Sequence, residues 1–130
     1  AKKFLVQENE LKDFAEAEKQ AIENERGTWK KSPYFSCFTS NIDTNFEIVH
    51  LKNNCKKINV GGWSLTDESR KKYIFKNIYL NEVNVHSLSG KDNETDLFWS
   101  QTKNVWNNDR DTLYLYDSEG KIVNYNSYGY

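Results

Sequence analysis

Short runs of alternating or continuous apolar residues recur about every 8–12 residues along this chain after Trp29. Clusters of Asn, Asp, Gly and Lys separate these runs. Such spacing is typical of antiparallel sandwiches and barrels, in which each run is a strand and each polar cluster is a turn. The sequence therefore predicts a mainly β domain with strands near 35–40, 46–53, 58–66, 72–76, 82–88, 97–100, 112–117 and 121–126.

Three polar segments are predicted to be turns between these strands. Asn41–Asn45 is the first hairpin loop, Asp67–Lys71 is the next, and Asp117–Gly120 is a tight turn with glycine at its fourth position.

The N-terminal segment has a different composition. From Leu5 to Arg26 it contains neither Pro nor Gly, and Gly27 follows as a suitable C-terminal cap, so one helix is predicted. Its apolar positions are Leu11, Phe14, Ala15, Ala21 and Ile22. Because Glu18 interrupts this stripe, a sustained coiled coil is poorly supported. We expect residues 1–34 to be a helix and linker that dock on a sandwich of residues 35–130, giving a monomer; a dimerising or linking helix is the alternative.

The stretch NVGGWSL places Gly61 and Gly62 directly before Trp63 within a predicted strand. Glycine weakens a strand and often marks a bulge or a bend. A large aromatic side chain at the centre of a sandwich fills the space between its two sheets. We therefore expect the two glycines to bend the chain so that the indole of Trp63 points into the core.

A set of segments occurs in an order shared with a known family. These segments are Phe46–Asn54, Ile58–Asp67, Tyr73–Phe75, Asp96–Trp99, Val105–Asn108, Asp111–Leu115 and Asp117–Val123. Over about residues 35–126 the chain resembles a prokaryotic-type lamin-tail domain. This family occurs at the end of nuclear lamins and in many bacterial and archaeal surface proteins. The resemblance implies an immunoglobulin-like antiparallel β-sandwich, with Trp63, Trp99 and Trp106 at core or near-core positions.

The same resemblance implies a function. Lamin-tail domains outside animals are attached to larger surface or secreted proteins. We therefore expect a non-catalytic interaction or structural module, an accessory domain that binds a protein partner at the cell surface or in a secreted protein.

Charge and hydropathy bear on the other classes of partner. The 18 basic and 19 acidic residues nearly cancel, which argues against a dedicated nucleic-acid binder. The chain has neither an apolar run of about 18 residues nor a signal-peptide pattern, so we expect no membrane insertion by this chain.

Basic residues could still form a weak anion-binding patch. Antiparallel order predicts that Lys30 and Lys31 lie at the same end of the sandwich as Lys56 and Lys57, with Arg70–Lys72 at the opposite end. Contact of these four lysines with nucleic acid or an anionic surface is an alternative function, and a solvated rim is the ordinary alternative.

Exposed aromatic side chains offer another alternative. Tyr125, Tyr128 and Tyr130 close the chain within a polar tail. They could stack against a carbohydrate or bind a protein, or they could cover the helix.

Neither a metal site nor a catalytic site is expected. His50 and His86 lack Cys, Asp or Glu at metal-ligand spacing. Asp92, Glu94 and Asp96 alternate but lack the frame of a calcium loop, so a solvated loop is expected. No paired acid and base is recognisable, so the sequence predicts neither a cofactor nor an enzyme.

The cysteines are expected to be free thiols. If residues 41 and 45 face each other across the first hairpin, Cys37 faces about residue 49. Cys55 then lies about 20 Å farther along the paired strand, beyond the ~7 Å limit for a disulfide.

Overall fold

The computed structural model describes the backbone of residues 2–27 and 29–130 and the side chains of residues 12–27 and 29–130. The chain begins with helix α1, Lys2–Glu23, and continues with short strands. The strands are β1 Phe38–Asp43, β2 Ile48–Asn53, β3 Ile58–Asn59, β4 Ser64–Thr66, β5 Lys72–Ile74, β6 Tyr79–Leu80, β7 Glu82–His86, β8 Asp96–Phe98, β9 Asp111–Tyr116 and β10 Ile122–Tyr128.

Two four-stranded sheets form the layers of the molecule. The first sheet has the order β1-β2-β7-β8, the second has the order β10-β9-β4-β5, and β3 and β6 form a small ribbon. All of the pairings are antiparallel except that of β7 with β8. This arrangement confirms the predicted immunoglobulin-like β-sandwich with an N-terminal helix.

Inward-facing side chains of both sheets form one hydrophobic core. Its members include Val49, Leu51, Val83, Val85 and Leu97 from the first sheet and Leu65, Leu113, Leu115 and Val123 from the second. Trp63, Trp99 and Trp106 are 3%, 9% and 2% exposed and belong to the same cluster. The core thus depends on aromatic residues that follow or precede strands, as well as on the strands themselves.

Side-chain amides join the two sheets along one side of the sandwich. Asn124 Nδ2 donates to the carbonyl of Phe38 at 3.0 Å, and Asn126 Nδ2 donates to that of Ser40 at 3.0 Å. These bonds satisfy backbone acceptors on β1 that would otherwise form an open strand edge.

The predicted strand 58–66 is divided by a bend at the two glycines. Trp63 N donates to the carbonyl of Val60 at 2.9 Å, which closes a four-residue turn. Gly62 has φ +81°, a conformation that the third position of a type II turn requires and that glycine adopts without strain. A Cβ on Gly61 would lie 2.0 Å from Asn77 Oδ1. The bend separates β3 from β4 and directs Trp63 into the core.

The first hairpin differs from the predicted one. The chain turns at residues 44–47, because Asp43 Oδ1 accepts hydrogen bonds from the amides of Asn45 and Phe46. The predicted loop residues Asn41–Asp43 instead extend β1, in which polar side chains alternate toward solvent. The pair Phe38↔Asn53 therefore lies near the far end of the hairpin.

This register overturns the expectation of free thiols. It places Cys37 opposite the chain just beyond Asn53, and Cys37 forms a disulfide with Cys55 over a Cα–Cα distance of 5.4 Å. That distance lies within the range that a disulfide spans. The prediction was wrong because it placed the turn too early and so misaligned the two strands.

The other two turns are where the sequence predicts them. Asp67 Oδ1 accepts the amide of Lys71 at 2.8 Å. Asp117 Oδ1 accepts the amides of Glu119 and Lys121, each at 2.9 Å. In both turns an aspartate carboxylate satisfies backbone donors that the turn leaves free.

Candidate functional site

Helix α1 packs against the face of the second sheet that points away from the core, which we call the outer face. Ile22, at 0% exposed, is buried there together with Tyr114 and Ile122. Four further residues complete this outer aromatic cluster, namely Trp29, Phe35, Tyr116 and Tyr125. The helix therefore docks within its own chain through its C-terminal half.

Two carboxylates of the helix bind tyrosine hydroxyls of the sheet. Tyr114 Oη donates to Glu18 Oε1 at 2.6 Å, and Tyr125 Oη donates to Glu23 Oε1 at 2.8 Å. Burial, followed by these hydrogen bonds, raises the pKa of both tyrosines above the ordinary value of 10.0. Glu18, which the sequence showed as an interruption of the apolar stripe, thus contributes to docking.

Phe14 does not join this interface, although it belongs to the apolar stripe of the helix. Its side chain is 72% exposed. The neighbouring cleft is lined by Glu68, Thr112 and Tyr130, and Glu68 accepts hydrogen bonds from the hydroxyls of the other two. The apolar contact of the helix with the sheet is therefore made by Ile22 and not by Phe14.

The three C-terminal tyrosines bond to groups of the protein itself. Tyr128 Oη donates to the carbonyl of Asn107 at 2.5 Å, and Tyr130 Oη donates to Glu68 Oε1. Burial is the largest cause of the raised pKa of Tyr128 and of Tyr130. Tyr125 is bonded to Glu23, so all three hydroxyls have an acceptor within the protein. Of the alternatives considered for these tyrosines, contact with the helix is the one that Tyr125 makes.

The lysines singled out in the sequence lie in different surroundings. Lys31 Nζ lies 3.8 Å from Glu23 Oε2 and 5.0 Å from the centre of the Phe35 ring. The exposed Lys56 contributes its carbonyl as an acceptor for Asn53 Nδ2 at 2.9 Å, and Lys57 lines a cleft with Lys76.

Lys30 lies near basic residues that the sequence analysis placed at the opposite end. It lines a cleft on the outer face together with Arg70 and Lys72. Trp29 and Tyr116 line the same cleft. The expected separation of Lys30 from Arg70 and Lys72 is wrong because the segment that contains Lys30 pairs with the start of β10, and so lies along the second sheet.

The outermost strand of the second sheet, β5, has an uncovered edge with exposed apolar residues beside it. Ile74 is 61% exposed, and Tyr79, farther along the same chain segment, is 70% exposed. Lys72 and Lys76 are exposed on either side of Ile74. Beyond Ile74 the chain remains paired on its inner side, since Phe75 N donates to the carbonyl of Trp63 and Val60 N donates to the carbonyl of Ile78. The outer edge of the segment therefore continues past the end of β5. We call residues 72–80 the open edge.

Each histidine is paired with a carboxylate, which the sequence did not reveal. His86 Nε2 lies 2.7 Å from Asp96 Oδ1, and the His86 ring stacks on Phe98. The hydrogen bond from His86 is the largest cause of the lowered pKa of Asp96. His50 Nε2 lies 2.8 Å from Glu82 Oε1. Among the residues whose side chains are described, no group of three His, Cys, Asp or Glu could hold a metal ion.

A buried glutamate supports the loop that precedes β9. Glu47 is 2% exposed, and its Oε1 accepts the amides of Val105 at 2.5 Å and Trp106 at 3.2 Å. Glu47 Oε2, Ser87 Oγ and Trp106 Nε1 are buried without a hydrogen-bond partner within the described part of the chain. The sequence does not reveal this role, because Glu47 stands between Phe46 and Ile48 and looks like an outward-facing residue of an alternating strand.

Comparison with known proteins identifies a family over most of the chain. The model of the family described as Lamin Tail Domain matches residues 18–130. No curated protein matches the chain. The matched region starts at Glu18, so it includes the part of α1 that bonds to the sheet as well as the sandwich. Within the described residues, no helix combines the length and the apolar character needed to cross a bilayer.

Proposed function

Because the chain belongs to the lamin tail domain family, whose members are non-enzymatic immunoglobulin-like domains, we propose that it is an accessory interaction module that binds a protein partner and has no catalytic activity. The open edge is the part of the surface that carries this proposal. A fold alone does not specify a partner, so the kind of partner is proposed from the chemistry of this edge.

An uncovered strand edge presents backbone groups that can pair with another chain. Phe75 N is bonded to Trp63, and successive amides of a strand point in opposite directions, so the N–H of Ile74 points away from β4. An extended peptide could therefore add a strand beside β5 and accept a hydrogen bond from Ile74.

The side chains along the open edge favour a partner with both apolar and acidic residues. Ile74 pairs with Ser64 and Lys72 pairs with Thr66 across β4 and β5, so Ile74 and Lys72 share one face. Lys76 Nζ lies 3.0 Å from Asp92 Oδ2, whereas Lys72 forms no ion pair with a described side chain. We therefore propose that the occupant is an extended segment with an apolar and an acidic residue two positions apart, so that both lie on the face of Ile74 and Lys72.

The helix and the sandwich are proposed to act as one monomeric unit. The proposed division is a helix and linker over residues 1–34 and a sandwich over residues 35–130. Burial of Ile22 and the two tyrosine–glutamate bonds within one chain support this organisation. The helix packs on β9 and β10, whereas β5 is the strand at the other end of the second sheet. The helix therefore leaves the open edge free for a partner.

A labelled peptide of about ten residues, in which Val and Asp take turns at every second position with Thr between them, tests the proposal by fluorescence anisotropy. The same peptide with Lys in place of each Asp serves as the charge control. Ile74→Thr is the informative variant for the apolar contact. Ile74→Lys would remove the same contact but would also change the charge of the edge. We expect Ile74→Thr to weaken binding of the Asp peptide about tenfold, which corresponds to about 1.4 kcal/mol.

Phe46→Thr is the matched control. Phe46 is 74% exposed, as Ile74 is largely exposed, but it lies in the turn between β1 and β2 of the first sheet. We expect the control variant to bind the Asp peptide as the unchanged protein does. Equal binding of the Asp and Lys peptides, or equal weakening by both substitutions, would contradict the proposed edge.

A further inference from the structure

The cleft on the outer face between Trp29 and β5 concentrates positive charge. It has a volume of about 490 Å³, within the roughly 300–1,000 Å³ typical of small-molecule sites. Lys30, Arg70 and Lys72 line it, and its other lining residues carry no carboxylate. We call it the basic cleft.

Other clefts of the described surface have balanced or negative charge. The cleft between α1 and β10 is lined by two lysines and two glutamates, and so is the cleft beside Tyr79. The cleft beside Phe14 contains two glutamates. A chain with a net charge of −1 therefore places three cations around one cavity without a compensating acid in its lining. Like charges held close together repel, so this arrangement favours an anionic ligand.

Flat aromatic rings line the same cavity. Trp29 stacks on Tyr116 with ring centres 6.5 Å apart and an angle of 8° between the rings. Both residues are partly exposed, whereas Trp63, Trp99 and Trp106 are buried in the core. An aromatic ring beside cations can stack a planar base while the cations bind a phosphate.

Arg70 occupies a backbone conformation that favours glycine. Its φ is +69°, in the left-handed region, at the end of the turn between β4 and β5. Arg70 lines the basic cleft together with Tyr116, and its charge opposes the rise in the pKa of Tyr116 that burial and Glu18 cause. Glycine would relieve the local strain but could not supply the charge.

We propose that the basic cleft binds a nucleotide, with the phosphate between Lys30, Arg70 and Lys72 and the base against Trp29. This chemistry goes beyond protein binding at the open edge. The nucleotide is either free or part of a single-stranded nucleic acid, since both present a phosphate beside a planar base. Recognition uses charge and stacking, so no particular base is required.

Tryptophan fluorescence tests this assignment with adenosine monophosphate as the probe. Of the four tryptophans, Trp29 is the one that is not buried, so saturable quenching should report the basic cleft. Trp29→Phe should abolish the quenching. Arg70→Gly should weaken binding about tenfold or more while raising the thermal unfolding midpoint, because it removes both the charge and the strained conformation. A role of Arg70 in folding alone would instead lower that midpoint.

Lys52→Ala is the matched charge control, since Lys52 is exposed on β2 of the first sheet. It should leave the affinity for adenosine monophosphate unchanged. Inorganic phosphate should compete much more weakly than the nucleotide. Absence of quenching, equal competition by phosphate, or equal effects of Lys52→Ala and Arg70→Gly would overturn the proposal.

A single-stranded oligodeoxyadenylate of about ten nucleotides distinguishes the two sources of the ligand. Binding more than about tenfold tighter than adenosine monophosphate, with a slope of log affinity against log salt of about −2, supports a single strand that contacts three cations. Equal or weaker binding than the mononucleotide supports a free nucleotide.

Discussion

The hydroxyl of Tyr114 donates a 2.6 Å hydrogen bond to Glu18, ninety-six residues earlier in the chain. Tyr114 lies on β9, beside both β10 and β4, so this bond joins the helix to the middle of the second sheet. Together with the burial of Ile22, it makes α1 a part of the folded domain. The family match begins at the same glutamate.

Removing the apolar contact of the helix should destabilise the domain. Ile22→Ala leaves a cavity between α1 and the outer face and should lower the free energy of unfolding by about 2–4 kcal/mol. Phe14→Ala, at a 72% exposed position on the same helix, should change it by less than about 0.5 kcal/mol. Urea denaturation of the two variants measures both values. Similar losses for both would show that the helix docks through a different face.

Alkaline pH should weaken the helix interface. Burial and bonds to glutamate raise the pKa of Tyr114 and Tyr125 in the folded state above 10.0, so the unfolded state loses these protons first. Their contribution is complete below about pH 10 and decreases as the pH rises above it. Tyr73 lies on β5 beside the main core and makes a separate contribution: burial raises its pKa to about 12, so this contribution is lost between about pH 10 and about pH 12.

The double variant Tyr114→Phe, Tyr125→Phe tests this pH dependence. Denaturation at pH 9 and pH 11 should show a smaller loss of unfolding free energy for the double variant than for the unchanged protein. If both proteins lose the same amount, the two hydroxyls do not contribute to the alkaline transition.

The disulfide should stabilise the first hairpin. It joins residues 18 positions apart, and closing a loop of this size in the unfolded chain contributes about 3 kcal/mol. Cys37→Ser together with Cys55→Ser should lower the free energy of unfolding by about that amount. Titration of the denatured, unreduced protein should detect no free thiol; two free thiols would restore the original expectation from the sequence.

Glu47 should be required for the packing of the loop before β9. Glu47→Ala leaves the buried amides of Val105 and Trp106 without an acceptor and should cost on the order of 2–4 kcal/mol. Glu47→Gln retains an acceptor oxygen and should cost less than half as much. Thermal denaturation monitored by tryptophan emission compares the two. Equal losses would indicate that the charge, and not the acceptor, is what matters.

The sequence predicted the sandwich because strand spacing and turn chemistry are local properties. Asp67 and Asp117 identify their turns through side-chain acceptors that serve the nearby backbone. The bend at Gly61 and Gly62 was likewise evident from residue types. The first hairpin was not, because Asn41 resembles a turn residue although an exposed position on β1 accommodates it.

The surfaces proposed for binding depend on contacts between distant parts of the chain. Lys30 and Arg70 are forty positions apart in the sequence. They line the same cleft because the linker after α1 crosses the outer face. Ile74 reads as an ordinary strand residue until the strand order shows that β5 is outermost. The spacing of residues along the chain does not reveal that Lys30 and Arg70 line one cleft or that Ile74 lies on an outermost strand. The family resemblance did predict the sandwich in which both relationships arise.

Amide hydrogen exchange at Ile74 and Phe75 tests most directly whether this chain is an interaction module that binds a partner through its open edge. The Phe75 amide is already bonded to Trp63, whereas the Ile74 amide points toward the uncovered side. Adding the Asp peptide should slow exchange at Ile74 and leave Phe75 nearly unchanged. Binding of the peptide without any slowing at Ile74 would contradict strand addition at β5 and the function proposed from it.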